Sequence, residues 1–165
     1  NIKGIVEASR ILRSKTSIPF IVSIVGAQGN DAFAAHLQSQ HVNHATLENI
    51  NRFISQQEKE KIYRSTDILL LPSFDEGFGM PILEAQQQGI PVVASSFLQE
   101  IGGEGAMYCS PDDHAGIAES LLELMSDKYL YEDTQSNARK NAACFTWDKC
   151  ADETLEFIKN VYATR

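Results

Sequence analysis

Two glutamates on one Gly-rich stretch are the residues of this sequence best suited to chemistry. Glu76 and Glu84 belong to the stretch Pro72-Ser73-Phe74-Asp75-Glu76-Gly77-Phe78-Gly79-Met80-Pro81-Ile82-Leu83-Glu84-Ala85. Ionised carboxylates only accept hydrogen bonds, so they suit the hydroxyl groups of sugars. Glu84 is expected one turn into a helix that begins near Pro81, and helical side chains lean toward the helix N-terminus. Both carboxylates are therefore expected to open into one crevice.

The loop between the two glutamates suits an anion. Gly77 and Gly79 let the backbone come close to a ligand. The helix that begins near Pro81 presents unpaired N–H groups and the positive end of its dipole, which favours a phosphate. A nucleoside diphosphate sugar matches this arrangement, with ribose at one carboxylate, the transferred sugar at the other and the diphosphate over the helix end.

Apolar strands alternate with helices along the whole chain, which predicts a doubly wound α/β domain with a parallel sheet of about five or six strands. The expected strands are 20–25, 45–50, 68–71, 91–95 and 106–109. In such sheets ligands bind at the carboxyl ends of the strands. Ligand-binding residues are therefore expected in the loops after Val25, Leu71 and Ser95. The loop after Leu71 contains the most residues suited to binding a ligand.

Local signals predict where the helices begin and end. Ser55 and Glu58 form a capping box, Gly89 closes the helix that carries Glu84, and Thr146 caps the last helix. Further helices are expected over about 2–12, 31–40 and 128–143, and another, capped by Asp112 or Asp113, is expected to extend to about Met125.

Three expectations concern residues outside the loop. Trp147 is expected to anchor the last helix, whose apolar positions share a face. The run Gln86-Gln87-Gln88 is expected on a solvated face, and Gly26 is an open candidate for either a simple turn or a ligand contact.

Composition excludes several classes of protein. The 165 residues, 43% apolar and 22% charged, suit one globular domain. The longest apolar runs are far shorter than the ~20 residues of a membrane-spanning helix. A net charge of -8 argues against nucleic acid as a partner. Three cysteines without a C-x-x-C pair indicate neither a disulfide framework nor a zinc site, and they favour a reducing compartment.

The loop resembles a known signature. The spacing of Glu76 and Glu84, followed by Gly-Ile-Pro-Val-Val-Ala-Ser at 89–95, is similar to that of the group 1 family of retaining GT-B glycosyltransferases. The resemblance covers nearly the whole chain, up to Phe145-Thr146-Trp147. It implies a Rossmann-like doubly wound sheet, the C-terminal, donor-binding half of a GT-B fold. It also places an N-terminal acceptor-binding domain, the first strand of this domain and a basic pair before Asn1.

The resemblance implies a role for each loop residue. Glu84 would bind the ribose hydroxyls. Glu76 would be the catalytic candidate, bound to a hydroxyl of the transferred sugar and stabilising positive charge at the anomeric carbon. The amides of Phe78, Gly79 and Met80 would meet sugar hydroxyls and phosphate oxygens, and Gly77 is a further donor-binding candidate.

Two further implications concern the nucleobase and the leaving group. Arg52 and Phe53 are the candidates for the wall against the nucleobase, although packing and solvent roles are the commoner ones for such residues. No metal and no cofactor are expected, because enzymes of this kind stabilise the leaving diphosphate with basic side chains and a helix end.

The implied activity is transfer of a sugar from a nucleoside diphosphate sugar to an acceptor hydroxyl, in glycan or cell-surface polysaccharide synthesis. The acceptor, a sugar or a lipid-linked molecule, would be held by the N-terminal domain, so the chain alone is expected to be inactive. A cytoplasmic location is implied, or the inner face of a membrane reached through that domain. A nucleotide-sugar epimerase, another GT-B enzyme half and a non-catalytic doubly wound interaction domain remain as alternatives.

Overall fold

The computed structural model describes residues 1–25, 54–163 and the backbone of 45–50. The described strands are β1 (Phe20–Val25), β2 (Ala45–Ile50), β3 (Leu69–Leu71), β4 (Val92–Ser95) and β5 (Ala106–Cys109). The described helices are α1 (Ile2–Lys15), α2 (Gln56–Arg64), α3 (Met80–Gln87), the short α4 (Gln99–Gly102), α5 (His114–Ser126), α6 (Lys128–Ala143) and α7 (Trp147–Ala163). The helix expected over 31–40 and the Gly26 turn lie outside the described residues.

All the described strand pairs are parallel, and the predicted α/β class is confirmed. The described strands form two separate sheets, however, and not the single sheet that was expected. β1 pairs with β2, with Phe20 opposite Ala45. β4 lies between β3 and β5, with Val92 opposite both Leu69 and Ala106. A cleft lined by residues of β1 and β3 lies between the two groups.

Side chains of the three-stranded sheet alternate between two cores, as parallel strands covered on both faces require. Val93 of β4 packs with Leu12 of α1 and Leu121 of α5. Its neighbours Val92 and Ala94 pack on the other face with residues of α3. This alternation places α1 and α5 on one face of the sheet and α3 on the other.

The predicted helix ends are largely confirmed. The capping box is present, since the Ser55 hydroxyl accepts from the Glu58 amide and the Glu58 carboxylate accepts from the Ser55 amide. Gly89 follows α3 with a φ of 73°, which suits glycine. Asp113 caps α5, and the Thr146 hydroxyl accepts from the Lys149 amide at the start of α7.

The expectation that all three residues of the Gln86-Gln87-Gln88 run are solvated is wrong for its first residue. Gln86 is fully buried. Its Nε2 donates to the carbonyl of Gly102 at 2.7 Å, and its Oε1 accepts from Asn141 Nδ2 at 2.6 Å. A buried amide needs such partners, and they lie on α4 and α6, far from it in sequence. Gln86 therefore joins α3 to both helices.

The expectation that Trp147 anchors the last helix is also wrong within the described part of the chain. Its side chain is 80% exposed, and no residue of α7 is buried. The apolar positions of this helix, including Phe157 and Tyr162, also face solvent. The helix forms where its amphipathic pattern predicts it, but no other described residues cover its apolar face.

Replacing the buried Gln86 tests its role in joining the helices. Gln86→Ala leaves the Gly102 carbonyl without its partner, so we expect a loss of about 1–3 kcal/mol of unfolding free energy. The neighbouring exposed Gln87→Ala should change stability by less than about 0.5 kcal/mol. Urea denaturation followed by circular dichroism measures both. Equal effects for the two variants would contradict the assigned role of Gln86.

Candidate functional site

The loop between β3 and α3 leads from the carboxyl end of one strand into the helix that carries Glu84. Gly79 is the N-cap of α3 and has a φ of 92°. A Cβ atom at this position would also lie 3.3 Å from the side chain of Leu98. The left-handed backbone conformation therefore favours glycine strongly, and the close contact would add to the cost of any side chain. Pro81 is the second residue of the helix, which begins at Met80 and therefore near Pro81 as predicted.

Two side chains of α2 hold the carboxylate of Glu84. Lys59 Nζ lies 2.7 Å from Oε1, and the Tyr63 hydroxyl donates to Oε2 at 2.9 Å. Each carboxylate oxygen retains acceptor capacity after these bonds. About 29% of the Glu84 side chain is exposed, so the group is held in place and still open to a ligand.

Tyr63 remains a hydrogen-bond donor at neutral and moderately alkaline pH. Its burial, and then its hydrogen bond to the Glu84 carboxylate and the charge of that group, raise the pKa of the phenol far above 10. A tyrosinate beside a carboxylate would place two negative charges together. The Tyr63 hydroxyl therefore stays protonated and fixes the orientation of Glu84.

Glu76 is held by a chain of two serines. The buried Ser95 at the end of β4 donates from its hydroxyl to the carbonyl of Ser73 at 2.5 Å. The Ser73 hydroxyl donates to Glu76 Oε1 at 2.7 Å. The loop after β3 is thus tied to the neighbouring strand, and one Glu76 oxygen remains without a partner among the described residues.

Asn1 connects the carboxyl edge of the sheet to α1. Its Oδ1 caps α1 by accepting from the Gly4 amide, and its Nδ2 donates to the carbonyls of Pro72 and Pro111. These two carbonyls lie on the loops that follow β3 and β5. The start of α1 is therefore fixed beside the candidate site.

The Gly-rich turn presents free backbone donors. Within the described part of the chain, no oxygen accepts from the amides of Phe78, Gly79 or Met80. A Cβ atom at Gly77 would meet nothing within 4 Å, so the space before this turn is open. The Phe78 ring is 48% exposed and meets the ring of Phe145 edge to face at 6.5 Å.

The structure brings some of the predicted site residues together and leaves others apart. Glu84 lines the cleft between β1 and β3 with Lys59, Tyr63 and Ser73, whereas Glu76 does not line it. The common crevice for both carboxylates stays a prediction. Arg52 and Phe53, the nucleobase candidates, lie outside the described residues.

Sequence reasoning missed four residues that position the glutamates. Lys59 and Tyr63 lie four residues apart on α2, so helical spacing indicated that they share a face but gave no hint of Glu84 as their partner. Ser73 and Ser95 carried no local signal for their contact. Each of these bonds except Ser73 to Glu76 joins residues more than twenty positions apart.

No three His, Cys, Asp or Glu side chains in the described ranges lie together as metal ligands would. None of the helices in these ranges is long and apolar enough to cross a membrane.

Solved structures share this fold. The C-terminal domain of a glycosyl transferase group 1 family protein from Francisella tularensis aligns with a TM-score of 0.70 and 20% identity over 87% of this chain and 77% of that one. Sucrose-phosphate synthase from Thermosynechococcus elongatus aligns with a TM-score of 0.73 and 20% identity, covering 99% of this chain and 43% of that one.

Sequence relatives point to the same family. O-antigen chain mannosyltransferase B from Escherichia coli is 29% identical over 164 residues, which cover 96% of this chain and 42% of the relative. A D-inositol 3-phosphate glycosyltransferase from Paenarthrobacter aurescens is 37% identical over 98 residues, covering 57% of this chain and 24% of that protein. The chain thus spans less than half of these relatives. Residues 1–141 match the family described as glycosyl transferases group 1, and the chain belongs to that family.

Proposed function

We propose that this chain binds the nucleoside diphosphate sugar donor of a retaining glycosyltransferase at the carboxyl ends of β3 and β4. The observation that carries the proposal is the Glu84 carboxylate, held by Lys59 and Tyr63 beside an open helix N-terminus. Family membership favours sugar transfer over the alternatives of an epimerase and an interaction domain.

Glu84 suits the vicinal hydroxyl groups of ribose. Its two oxygens each receive one protein hydrogen bond and keep room for another. Because both bonds fix the plane of the carboxylate, its free acceptor positions are oriented before a ligand arrives. Such preorganisation reduces the entropy that binding would otherwise cost.

Glu76 suits a hydroxyl of the transferred sugar. It lies on the loop just before the start of α3, and the Ser73 hydroxyl donates a hydrogen bond to one of its oxygens. A carboxylate near the anomeric carbon also stabilises the positive charge that develops there as the bond to the diphosphate breaks. The amides of Phe78, Gly79 and Met80 and the α3 dipole are then available to the diphosphate and the sugar.

The acceptor is a hydroxyl group of a sugar or a lipid-linked molecule, supplied through a second domain. We infer a role in glycan or cell-surface polysaccharide synthesis, which fits the O-antigen chain relative. Catalysis needs the acceptor held in line with the anomeric carbon. The activity therefore belongs to the longer protein, with this chain as its donor-binding part.

Glu84→Ala tests the ribose contact. It should weaken nucleoside diphosphates and their sugar conjugates alike, by about 10- to 150-fold, since a charge-assisted hydrogen bond contributes ~1.5–3 kcal/mol. NMR titration with UDP, GDP, ADP and their glucose or mannose conjugates makes the measurement. Glu123→Ala, at an exposed position on α5, is the control. Unchanged affinity in Glu84→Ala would refute the ribose role.

Glu76→Ala tests the sugar contact. It should leave nucleoside diphosphate affinity within about twofold and weaken only the sugar-bearing ligand, because its partner is the sugar. In the longer protein it should lower kcat more than it raises KM. Asp75→Ala, at the exposed neighbouring carboxylate, is the matched control. Equal losses for both ligands would assign Glu76 to the nucleotide instead.

Tyr63→Phe tests the orientation of Glu84. Removing one hydroxyl should weaken nucleotide binding about two- to tenfold with little loss of fold, because the ring remains in place. Tyr108→Phe removes a comparable hydroxyl, bound to the Gly103 carbonyl, and should leave nucleotide affinity unchanged. The same titrations serve both variants. Affinity equal to that of the unmodified chain in Tyr63→Phe would remove Tyr63 from the site.

A further inference from the structure

Two phenylalanines that lie far apart in the sequence meet beside the candidate site. The ring centroids of Phe78 and Phe145 are 6.5 Å apart and the ring planes are inclined at 77°, the edge-to-face arrangement that aromatic pairs prefer. Phe78 belongs to the Gly-rich turn, whereas Phe145 lies between the end of α6 and the start of α7. The contact therefore joins the turn to a part of the chain that carries none of the polar groups of the site.

The Gly-rich turn, residues 77–80, has few other contacts. Within the described ranges, no oxygen accepts from the amides of Phe78, Gly79 or Met80. Gly79 is buried beside Leu98, but a Cβ atom at Gly77 would meet nothing within 4 Å. Glycine loses more conformational freedom than any other residue when its backbone is fixed. Phe78, which lies between two glycines, therefore depends on its side chain for a fixed position.

Phe145 is itself fixed by the end of α6. Its amide donates to the carbonyl of the buried Ala142 at 3.1 Å. One residue earlier, Asn141 Nδ2 donates to Gln86 Oε1 near the C-terminal end of α3 and to the carbonyl of Ile101. The Phe145 ring then touches the turn just before the N-terminal end of the same helix. The end of α6 and the residue that follows it thus hold α3 near both of its ends.

The burial of Phe145 distinguishes it from the aromatic residues that follow it. Phe145 is half-buried, whereas Trp147 and Phe157 on α7 are 80% and 68% exposed. The Phe145 side chain therefore belongs to the packed part of the domain and not to the exposed helix.

We propose that Phe145 is a positioning residue of the candidate donor site. Through its ring contact it fixes Phe78, and it thereby aligns the amides of Phe78, Gly79 and Met80 before a ligand arrives. This role rests on the proposed function, in which these amides meet the diphosphate and the transferred sugar. Donors that are already aligned lose less entropy on binding, so loss of the Phe145 ring weakens ligands that reach the turn.

The orientation of Glu84 does not depend on Phe145. Lys59 and Tyr63 of α2 hold the Glu84 carboxylate, and neither belongs to the turn or to the end of α6. Substitutions that act through separate contacts combine independently, whereas those that act through one contact do not. The effect of changing Phe145 should therefore depend on Phe78 and be independent of Tyr63.

Nitrogen-15 relaxation of the ligand-free chain tests whether Phe145 orders the turn. In Phe145→Ala, the order parameter of the Phe78 amide should fall from about 0.85 toward about 0.6, because its ring has lost its partner. Phe145→Leu keeps an apolar side chain at the position and should give an intermediate value. Phe157→Ala removes an exposed ring from α7 and is the matched control, which should leave the turn unchanged. Since no nucleotide is present, this result is independent of the proposed function.

Titration with UDP, GDP, ADP and their sugar conjugates tests the effect on binding. Phe145→Ala should weaken both kinds of ligand by about two- to tenfold, the size expected for one edge-to-face pair. Phe78→Ala should have a similar effect, and adding Phe145→Ala to it should change the affinity by less than about twofold. The losses in a variant that combines Tyr63→Phe with Phe145→Ala should instead multiply, because Tyr63 acts through Glu84.

Three results would overturn the proposal. An unchanged order parameter at Phe78 in Phe145→Ala means that the ring contact does not order the turn. Unchanged nucleotide affinity in a variant with a disordered turn means that the alignment does not serve binding. Losses that multiply when Phe78→Ala and Phe145→Ala are combined mean that Phe145 acts by another route.

Two further outcomes are distinguished by the same measurements. An unmodified chain that binds none of the nucleotides contradicts the proposed function, and the order parameters still decide whether Phe145 fixes the turn. If Phe145→Ala does not fold, Phe145→Leu replaces it in both measurements, and an unchanged order parameter at Phe78 is then equally contrary.

Discussion

Parallel strands with apolar side chains on both faces must be covered by helices on both sides, and the whole domain depends on this requirement. In β4, Val93 faces α1 and α5 while Val92 and Ala94 face α3. Each helix must therefore return the chain to the other end of the sheet before the next strand begins. All carboxyl ends of the strands consequently lie along one edge, and the loops with freedom to bind a ligand gather there.

The two glutamates at this edge depend on contacts from elements other than their own. Glu84 lies on α3, yet its orientation comes from Lys59 and Tyr63 on α2. Glu76 lies on a loop, and Ser73 and Ser95 connect it to the end of the fully buried β4. A rigid strand thus supports a carboxylate that would otherwise have only a Gly-rich turn behind it. This arrangement combines an accessible site with fixed acceptor groups.

The sequence predicted the helix ends and strands, which depend on neighbouring residues. It did not predict contacts between residues that are far apart in the chain. The capping box at Ser55, the left-handed Gly89 and the five described strands follow from local rules of helix ends and apolar runs. The burial of Gln86 depends on Gly102 and Asn141, on two other helices, so a run of three glutamines looked entirely solvated.

The exposure of α7 has a consequence for how the domain unfolds. No side chain of this helix is buried, so its 17 residues draw their stability from local hydrogen bonds and pairs such as Lys149 with Glu153. Most of the stability of helices in proteins comes from tertiary packing of an apolar face, which the described residues do not provide for α7. The helix should therefore unfold at temperatures where both cores are intact, as a unit separate from the rest of the domain. A protease that cut near Cys144 would remove it while sparing every buried apolar side chain of the sheet.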